Sequence, residues 1–213
     1  MFTGLIEATG VVSALNRGPG LLTLSLSATL PTPLPIKDIK LGDSIAVDGC
    51  CLTVTAIRGD VLSFGVAEES LRRTSLGEWT VGQRVHLERA MRADSRFDGH
   101  IVQGHVDTIG RIHSKRPDGD ALWVTFSVDP KFTRYMVEKG AIALDGVSLT
   151  LTEVTQDSCS VMLIPYSQQK THFAQKPVGA AVNIEVDVLA KYVERLIAPR
   201  SSLIDKLKEN GFS

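Results

Sequence analysis

Two stretches of eleven residues are nearly identical, and they carry side chains able to do chemistry. The first, IAVDGCCLTVT, occupies residues 45–55, and the second, IALDGVSLTLT, occupies residues 142–152. Cys51 in the first stretch is replaced by Ser148 in the second. A thiol can act as a nucleophile or carry a proton, and a hydroxyl can bond a developing charge or a water. We therefore treat the two positions as candidate catalytic groups of related but unequal chemistry.

The placement of these side chains on a strand decides which of them can act together. Successive strand residues point to opposite faces, so Cys51 shares a face with Thr53, and Cys50 faces the other way. Ser148 and Thr150 have the same relation in the second stretch. A strand cysteine is commonly a buried structural thiol, and a strand serine commonly bonds the backbone. Both alternatives stay open at this point.

A histidine pair lies between the two stretches, in GHIVQGHV. His105 is singled out because an imidazole is a side chain able to act as a general base. A partly exposed histidine without a role is the alternative. The five-residue spacing places His100 on the opposite strand face from His105. A zinc site built from these histidines and the cysteines is therefore disfavoured, because zinc needs three or four convergent ligands.

The repeat extends well beyond eleven residues and defines the organisation of the chain. Asp48 corresponds to Asp145, and 145 − 48 = 97. With that offset, VGQRVHLE (81–88) aligns without a gap with VGAAVNIE (178–185). The chain start, TGLIEATGVV, resembles QGHVDTIGRI with an offset of 110 − 10 = 100. An internal duplication is indicated, with one domain over residues 1–97 and a second over 98–187.

The periodicity within each copy is that of strands. Segments such as DSIAVDG, LTVTAI and QRVHLERA are short, rich in β-branched residues and bounded by Gly or Asp. Many short strands without intervening amphipathic helices indicate an all-β barrel or sandwich, and the pattern alone does not choose between them. LRRTSLGEW and QQKTHFAQK predict a short helix or turn before the last strand of each copy.

The segment after the second copy has a different period. In DVLAKYVERLIA (187–198) the apolar residues recur every three or four positions, which predicts one helix with an apolar stripe. Pro199 interrupts the pattern, and Ser202 could cap a second short helix. We assign residues 188–213 to a helical segment. The stripe could pack on the barrels of its own chain or form the contact surface of an oligomer.

Composition excludes several classes of protein. The 213 residues carry a formal net charge of −1, and aromatic residues make up 6%. Nucleic-acid binding is not expected, because it needs basic grooves and stacking platforms. No apolar run reaches the roughly 20 residues that span a bilayer, and MFTGLIEATG has no basic signal region. Three cysteines, two of them adjacent, make a poor disulfide framework, so we expect a cytoplasmic protein without membrane contact.

Several motifs together resemble one known family. MFTG, VDGCCLTVT, GHIVQGHV, LDGVSLTLT and VNIEVD resemble the α-type riboflavin synthases, and the resemblance runs from Met1 to about Ile197. It implies an all-β fold of two homologous six-stranded antiparallel Greek-key barrels and a C-terminal helix, assembled as a homotrimer. The implied transferase reaction is the last step of riboflavin biosynthesis. It is a dismutation of two 6,7-dimethyl-8-ribityllumazine molecules into riboflavin and 5-amino-6-ribitylamino-uracil. No metal or organic cofactor is implied; association with lumazine synthase is a further implied partnership.

The resemblance also assigns roles to individual residues. It makes Cys51, His105 and Ser148 catalytic. It places Asp187 and Ser44 on the ribityl chain and Gly65, Ala67, Met162 and Ile164 at the pyrimidine edge, through their main chain. The full set of implied substrate-binding residues is Phe2, Ser44, Thr53, Gly65, Ala67, Lys139, Thr150, Met162, Ile164, Ser167 and Asp187. Two unlike but homologous pockets would suit a reaction that uses one substrate as both donor and acceptor.

Two related classes remain as alternatives. A non-catalytic lumazine-binding protein would have similar barrels, but such proteins tend to lose the polar residues that are present here at positions 51, 105 and 148. A reductase flavin domain is weakly suggested by Tyr166 and Ser167, yet Ile164 stands where its arginine would be. The enzyme is therefore favoured.

Overall fold

The computed structural model describes residues 1–28, 34 and 36–197, and in this range the two copies fold into twelve strands and three α-helices, with a fourth α-helix after them. The first copy contains β1 (Ala8–Gly18), β2 (Leu21–Ser27), β3 (Ser44–Val47), β4 (Cys50–Arg58), β5 (Val61–Ala67), α1 (Glu68–Arg73) and β6 (Arg84–Arg89). The second contains β7 (Thr108–Asp118), β8 (Ala121–Ser127), α2 (Pro130–Thr133), β9 (Ala141–Leu144), β10 (Val147–Val154), β11 (Ser158–Leu163), α3 (Pro165–Lys170) and β12 (Ala181–Val186). Helix α4 (Val188–Ile197) follows.

Each copy closes into a six-stranded antiparallel barrel. The first barrel has the strand order β1-β2-β5-β4-β3-β6, and the second has the equivalent order β7-β8-β11-β10-β9-β12. The expected all-β duplicated barrels are thus confirmed. The strand starts differ by 100 residues for β1 and β7 and by 97 for β3 and β9. The first copy therefore has three more residues than the second between its second and third strands.

The tight turns follow directly from the sequence. Val47 pairs with Cys50 across a two-residue loop of Asp48 and Gly49, whose φ angles are 42° and 76°. Two positive φ values match the hairpin turn that Asp-Gly favours, because its twist suits the flanking strands. The second copy repeats this turn at residues 145 and 146, with φ angles of 43° and 78°.

Alternating strand residues fill the interior of each barrel. Along β2, Leu22, Leu24 and Leu26 are buried, and the residues between them are less so. Phe64 and Phe126 are fully buried in the first and second barrel cores. Burial of each such side chain contributes about 1.5–3 kcal/mol. The residues that alternate with the buried leucines of β2 point to the outer face of the barrel.

A third, smaller apolar cluster joins the two barrels. It contains Phe2, Ala46, Val102 and Ala143, with the half-buried Cys51 packed against it. Phe2 donates its N–H to the carbonyl of Val102 at 2.7 Å, and Val102 returns the bond at 3.2 Å. We call residues 1–7 the first arm and residues 100–107 the second arm. These equivalent arms cross between the barrels, so the chain start is held in place and Phe2 is completely buried.

Helix α4 confirms the helix predicted at the end of the second copy. Its apolar residues Leu189, Tyr192, Val193, Leu196 and Ile197 are 54–76% exposed. The second helix predicted at Ser202 lies outside the described residues. The predicted helical segments before β6 and β12 are also present, as α1 with the 3₁₀ turn Ser75–Glu78, and as α3. Among the described helices, none is long and apolar enough to cross a bilayer.

Candidate functional site

The outer surface of the first barrel presents Cys51 and Thr53 side by side, as their spacing predicts. Thr53 pairs with Ser44 across β3 and β4, and Cys51 pairs with Ala46. Cys51 is half-buried, whereas Cys50 points into the barrel core. Burial raises the pKa of the Cys50 thiol to about 12, so it stays protonated and cannot serve as a nucleophile. Cys51 is therefore the thiol available to a ligand.

The outer surface of the second barrel repeats this arrangement with different chemistry. Ser148 pairs with Ala143, and Thr150 pairs with Ala141. Ser148 is half-buried and Thr150 is exposed. A hydroxyl thus takes the place of the thiol at an equivalent position, while the neighbouring threonine is kept.

Each arm contacts the barrel of the other copy, so the second arm covers Cys51 and the first arm covers Ser148. Cys51 of the first barrel donates its N–H to the carbonyl of Gly104 in the second arm, at 2.8 Å. Ser148 of the second barrel donates its N–H to the carbonyl of Gly4 in the first arm, also at 2.8 Å. A Cβ on Gly104 would lie 2.6 Å from the Cβ of Cys51, and one on Gly4 would lie 2.6 Å from the Cβ of Ser148. Each arm can approach this closely because it carries glycine there.

The exchange places His105 at the first barrel. It directly follows Gly104, the residue in contact with Cys51, and its side chain is exposed. The equivalent residue of the first arm is Leu5, which is 47% exposed. The residue that follows the arm glycine is therefore a histidine at the first barrel and a leucine at the second.

His100 contacts Ser148 at the outer surface of the second barrel, and no sequence feature had indicated it as a catalytic residue. Its Nδ1 lies 2.7 Å from the Ser148 hydroxyl oxygen, and the residue is 9% exposed. Burial lowers the pKa of His100, and the charge of Asp187 acts in the opposite direction. Residues 100–107 form no regular strand apart from the bridge at Val102, so the predicted placement of His100 and His105 on opposite strand faces does not apply, although His100 is buried and His105 is exposed. No sequence pattern indicated that one arm would contact both barrels.

In each barrel, the strand segment whose main chain is predicted to bind the pyrimidine edge lies just past the end of a strand-pairing ladder. The ladder between β4 and β5 ends at Val54 and Phe64, so the stretch from Gly65 to Ala67 pairs with β2 alone. In the second barrel the ladder between β10 and β11 ends at residues 151 and 161, and Met162 pairs with β8 alone. Unpaired strand edges offer backbone donors and acceptors to a ligand. Both gaps lie beside the threonine of the same barrel.

Two cavities adjoin the residues assigned to the sugar chain. A cavity of about 820 Å³ is lined by Ser44 of the first barrel and by the linker after β6. A cavity of about 340 Å³ is lined by Ala141 and Asp187 of the second barrel. Asp187 also caps α4, because its carboxylate accepts the N–H of Leu189 at 3.0 Å.

Lys139 occupies a strained backbone position at the second barrel. It has a φ of 66°, and its repeat equivalent is Gly42 with a φ of 89°. Its N–H donates to the carbonyl of Leu151, and Gly42 donates equivalently to Val54. A lysine in the left-handed region, where the other copy has glycine, favours a functional reason for the side chain.

The remaining predicted residues lie near the site or support it. Ile164 is exposed just beyond β11, where it precedes α3. Ser167 is half-buried within α3, and its carbonyl accepts the side-chain hydroxyl of Thr171 at 2.7 Å. Phe2 lies behind Cys51 in the interbarrel cluster and has no exposed surface in this chain.

A buried polar network lies where the two Asp-Gly turns meet. His86 places its Nδ1 3.0 Å from the carbonyl of Asp145, and Asn183 donates its side-chain N–H to the carbonyl of Asp48 at 2.8 Å. The N–H of His172 donates to His86 Nε2 at 3.0 Å. His86 must therefore be neutral with its proton on Nδ1, in agreement with the lowering of its pKa by burial.

This network is a poor metal site. Within the described part of the chain, Asp48, His86 and His172 are close enough together to be considered as ligands. Both ring nitrogens of His86 are already committed to backbone groups, as the preceding distances show. The Lys176 ammonium also bonds Asp145 within the same cluster and would repel a cation. The network instead joins the two barrels.

The fold and the site define a class of protein built from two ligand-binding barrels. The family described as "Lumazine binding domain" matches residues 3–90 and again residues 103–187. A solved structure of LumP complexed with riboflavin aligns with a TM-score of 0.79 and 21% identity, covering 87% of this chain and 99% of that one. That likeness shows the shared fold.

Curated relatives identify the particular family within this class. Riboflavin synthase of Schizosaccharomyces pombe is 46% identical over 92% of this chain and 94% of its own. The riboflavin synthases of Actinobacillus pleuropneumoniae and Bacillus subtilis are each 39% identical over 100% of both chains. The chain belongs to the riboflavin synthase family of lumazine-binding proteins.

Proposed function

We propose that the chain converts two molecules of 6,7-dimethyl-8-ribityllumazine into riboflavin and 5-amino-6-ribitylamino-uracil. One lumazine gives a four-carbon unit to the other, so two substrate molecules enter and two products leave. The observation that carries this proposal is the pair of equivalent outer surfaces bearing unlike reactive groups. Cys51 adjoins the His105 arm on one surface, and Ser148 contacts His100 on the other.

The site supports a division of roles between catalysis and binding. Cys51, His105 and Ser148 are the proposed catalytic groups, and His100 is added as the partner that polarises the Ser148 hydroxyl. The ladder gaps at Gly65 and Met162 support main-chain recognition of the pyrimidine edge. The proposed substrate contacts also include Ser44, Thr53, Ala67, Lys139, Thr150, Ile164, Ser167 and Asp187. Phe2, predicted as a substrate contact, is completely buried in the interbarrel cluster, so its proposed role is to support the site from behind Cys51.

The deciding experiment mixes the purified protein with the lumazine and adds nothing else. The proposed function predicts riboflavin, followed by its absorbance and fluorescence, with one riboflavin for each two lumazines consumed. Binding of the lumazine without turnover would instead establish a non-catalytic lumazine-binding protein. A Cys51→Ala, Ser148→Ala double variant is the matched control for trace activity from a contaminant.

The same proposal extends to assembly and location. The exposed apolar stripe of α4 supports a self-contact, and the family resemblance supports a homotrimer as the assembly. We propose folding domains at residues 1–97 and 98–187, with residues 188–213 as the oligomerisation segment. A transferase acting in the cytoplasm, in association with lumazine synthase, completes the proposal.

A further inference from the structure

Two equivalent buried glutamates hold the crossing arms. Glu185, 3% exposed, accepts the N–H groups of Gln103, Gly104 and His105 at 2.6, 2.9 and 2.9 Å. Glu88, 4% exposed, accepts the N–H and hydroxyl of Thr3 at 2.6 and 2.7 Å, and the N–H of the next residue at 2.9 Å. Burial raises the pKa of both carboxyl groups, and the three donated hydrogen bonds act against that shift because they stabilise the ionised form.

We call each buried glutamate, together with the arm donors that it accepts, a clamp. The two clamps differ at one point, and the difference lies in the second arm, which carries His105. In the first arm the N–H of Leu5 bonds the hydroxyl of Thr3 at 3.2 Å and reaches Glu88 only through it. Gln103 replaces that threonine in the second arm, and His105 bonds Glu185 directly. The main chain of the histidine is thus fixed by a charge-assisted bond, which its leucine equivalent lacks.

The second arm has another anchor beyond the histidine. Asp107 accepts the N–H of Val186 at 3.0 Å and the Lys191 ammonium at 2.6 Å. His105 therefore lies between two fixed points, Glu185 and Asp107, while Gly104 is bonded to Cys51. The imidazole stays exposed on a main chain that is restrained on both sides.

We propose that Glu185 is the positioning residue that holds His105 at the first barrel for the reaction, and that Glu88 supplies only the structural counterpart in the first arm. This inference rests on the proposed function. Glu185 has no role in binding the substrate itself, since its carboxylate is buried beneath the arm and its oxygens face main-chain donors.

The test compares Glu185→Gln with Glu88→Gln, which are matched in burial and in the number of donors lost. Glutamine has a single acceptor oxygen, so in each variant its amide group faces at least one N–H that has lost its acceptor. We expect both variants to lose similar stability. In Glu185→Gln, kcat should fall about 10-fold or more with KM changed less than about threefold, since small displacements of a catalytic group cost rate rather than binding.

Two further measurements distinguish a loss of His105 positioning from a general loss of structure. Amide hydrogen exchange at residues 103–105 should be faster in Glu185→Gln than in wild type, and Glu185→Asp, which keeps the charge, should recover part of kcat. Glu88→Gln should retain kcat within about threefold of wild type. Equal kcat losses in the two glutamine variants, or an unchanged kcat in Glu185→Gln with faster exchange, would overturn the inference.

The outcome stays separable from that of the proposed function. If wild type forms no riboflavin, the proposed function fails before any variant is compared. If Glu185→Gln does not fold, the same comparison is made between Glu185→Asp and Glu88→Asp, where a preferential loss of kcat in the first is required.

Discussion

Lys139→Gly should make the protein more stable and a poorer enzyme. Lys139 holds a φ of 66° at a turn whose equivalent, Gly42, has a φ of 89°. The left-handed conformation costs a residue with a Cβ roughly 1–2 kcal/mol. Glycine removes that cost but loses about 0.5–1 kcal/mol through its greater freedom in the unfolded chain. The net gain should be about 0.5–1 kcal/mol, or about 1–4 °C in Tm for a chain of this size.

The same change removes an exposed ammonium from the rim of the second barrel. If that ammonium bonds the substrate, its loss should raise KM about 10-fold or more, because a hydrogen bond to a charged group contributes about 1.5–3 kcal/mol. The assay combines urea unfolding, thermal unfolding and steady-state riboflavin formation on the same preparation.

Two control variants separate the backbone from the charge. Lys139→Ala loses the ammonium but keeps the Cβ, so KM should rise while stability stays near that of wild type. Gly42→Ala introduces a Cβ with no atom within 4 Å, so it measures the backbone cost alone and should destabilise by about 1 kcal/mol. A Lys139→Gly protein less stable than wild type, or one no more stable than Lys139→Ala, would refute the reasoning.

Three other predictions concern the interbarrel network, the helix and the shared site. Burial and the Asp145 charge raise the pKa of Asp48 to about 7, above its ordinary 3.8. Its contribution to stability is therefore complete below about 3.8 and is lost as pH rises through about 7. Asp48→Asn should remove this loss, so parallel unfolding free energies of the two proteins from pH 5 to 8 would contradict the assignment. A chain ending at Asp187 should self-associate more weakly in sedimentation velocity, and an unchanged assembly would make α4 an intramolecular element. After dissociation and reassembly, a mixture of Cys51→Ala and Ser148→Ala proteins should exceed both parents in activity if one working site joins the first barrel of one subunit to the second barrel of the next. With subunit exchange confirmed and both parents impaired, activity at the average of the parents would place the site within one chain.

Local sequence features predicted the parts of the fold that local geometry determines. The Gly and Asp residues that bound the predicted strands lie in the turns at 48–49 and 145–146, and the apolar spacing after Asp187 forms the predicted helix. Strand alternation correctly separated Cys50, in the core, from Cys51, on the outer surface. The repeat predicted two copies of one unit, but strand pattern alone did not distinguish a barrel from a sandwich, which required the family resemblance.

Contacts between distant segments were not accessible in the same way. Periodicity reports which face a residue occupies, but it does not report what lies opposite that face. His100 was therefore considered only as a zinc ligand, although its partner is Ser148, 48 residues away. The complete burial of Phe2 depends on Val102 and Ala143 in the other half of the chain. The Glu88 and Glu185 clamps were missed for the same reason, because each binds an arm more than 79 residues earlier.

The crossed arms have a consequence for how the two halves can differ. Two separate copies of a one-barrel chain, related by a twofold axis, would exchange arms in the same manner, but every substitution would then appear on both sides of the axis. Joining both copies in one polypeptide removes that restriction. Position by position, Leu5 and His105, Cys51 and Ser148, and His86 and Asn183 have become different while the backbone contacts around them are kept. The single chain therefore combines the packing of a symmetric dimer with the chemistry of two distinct subunits.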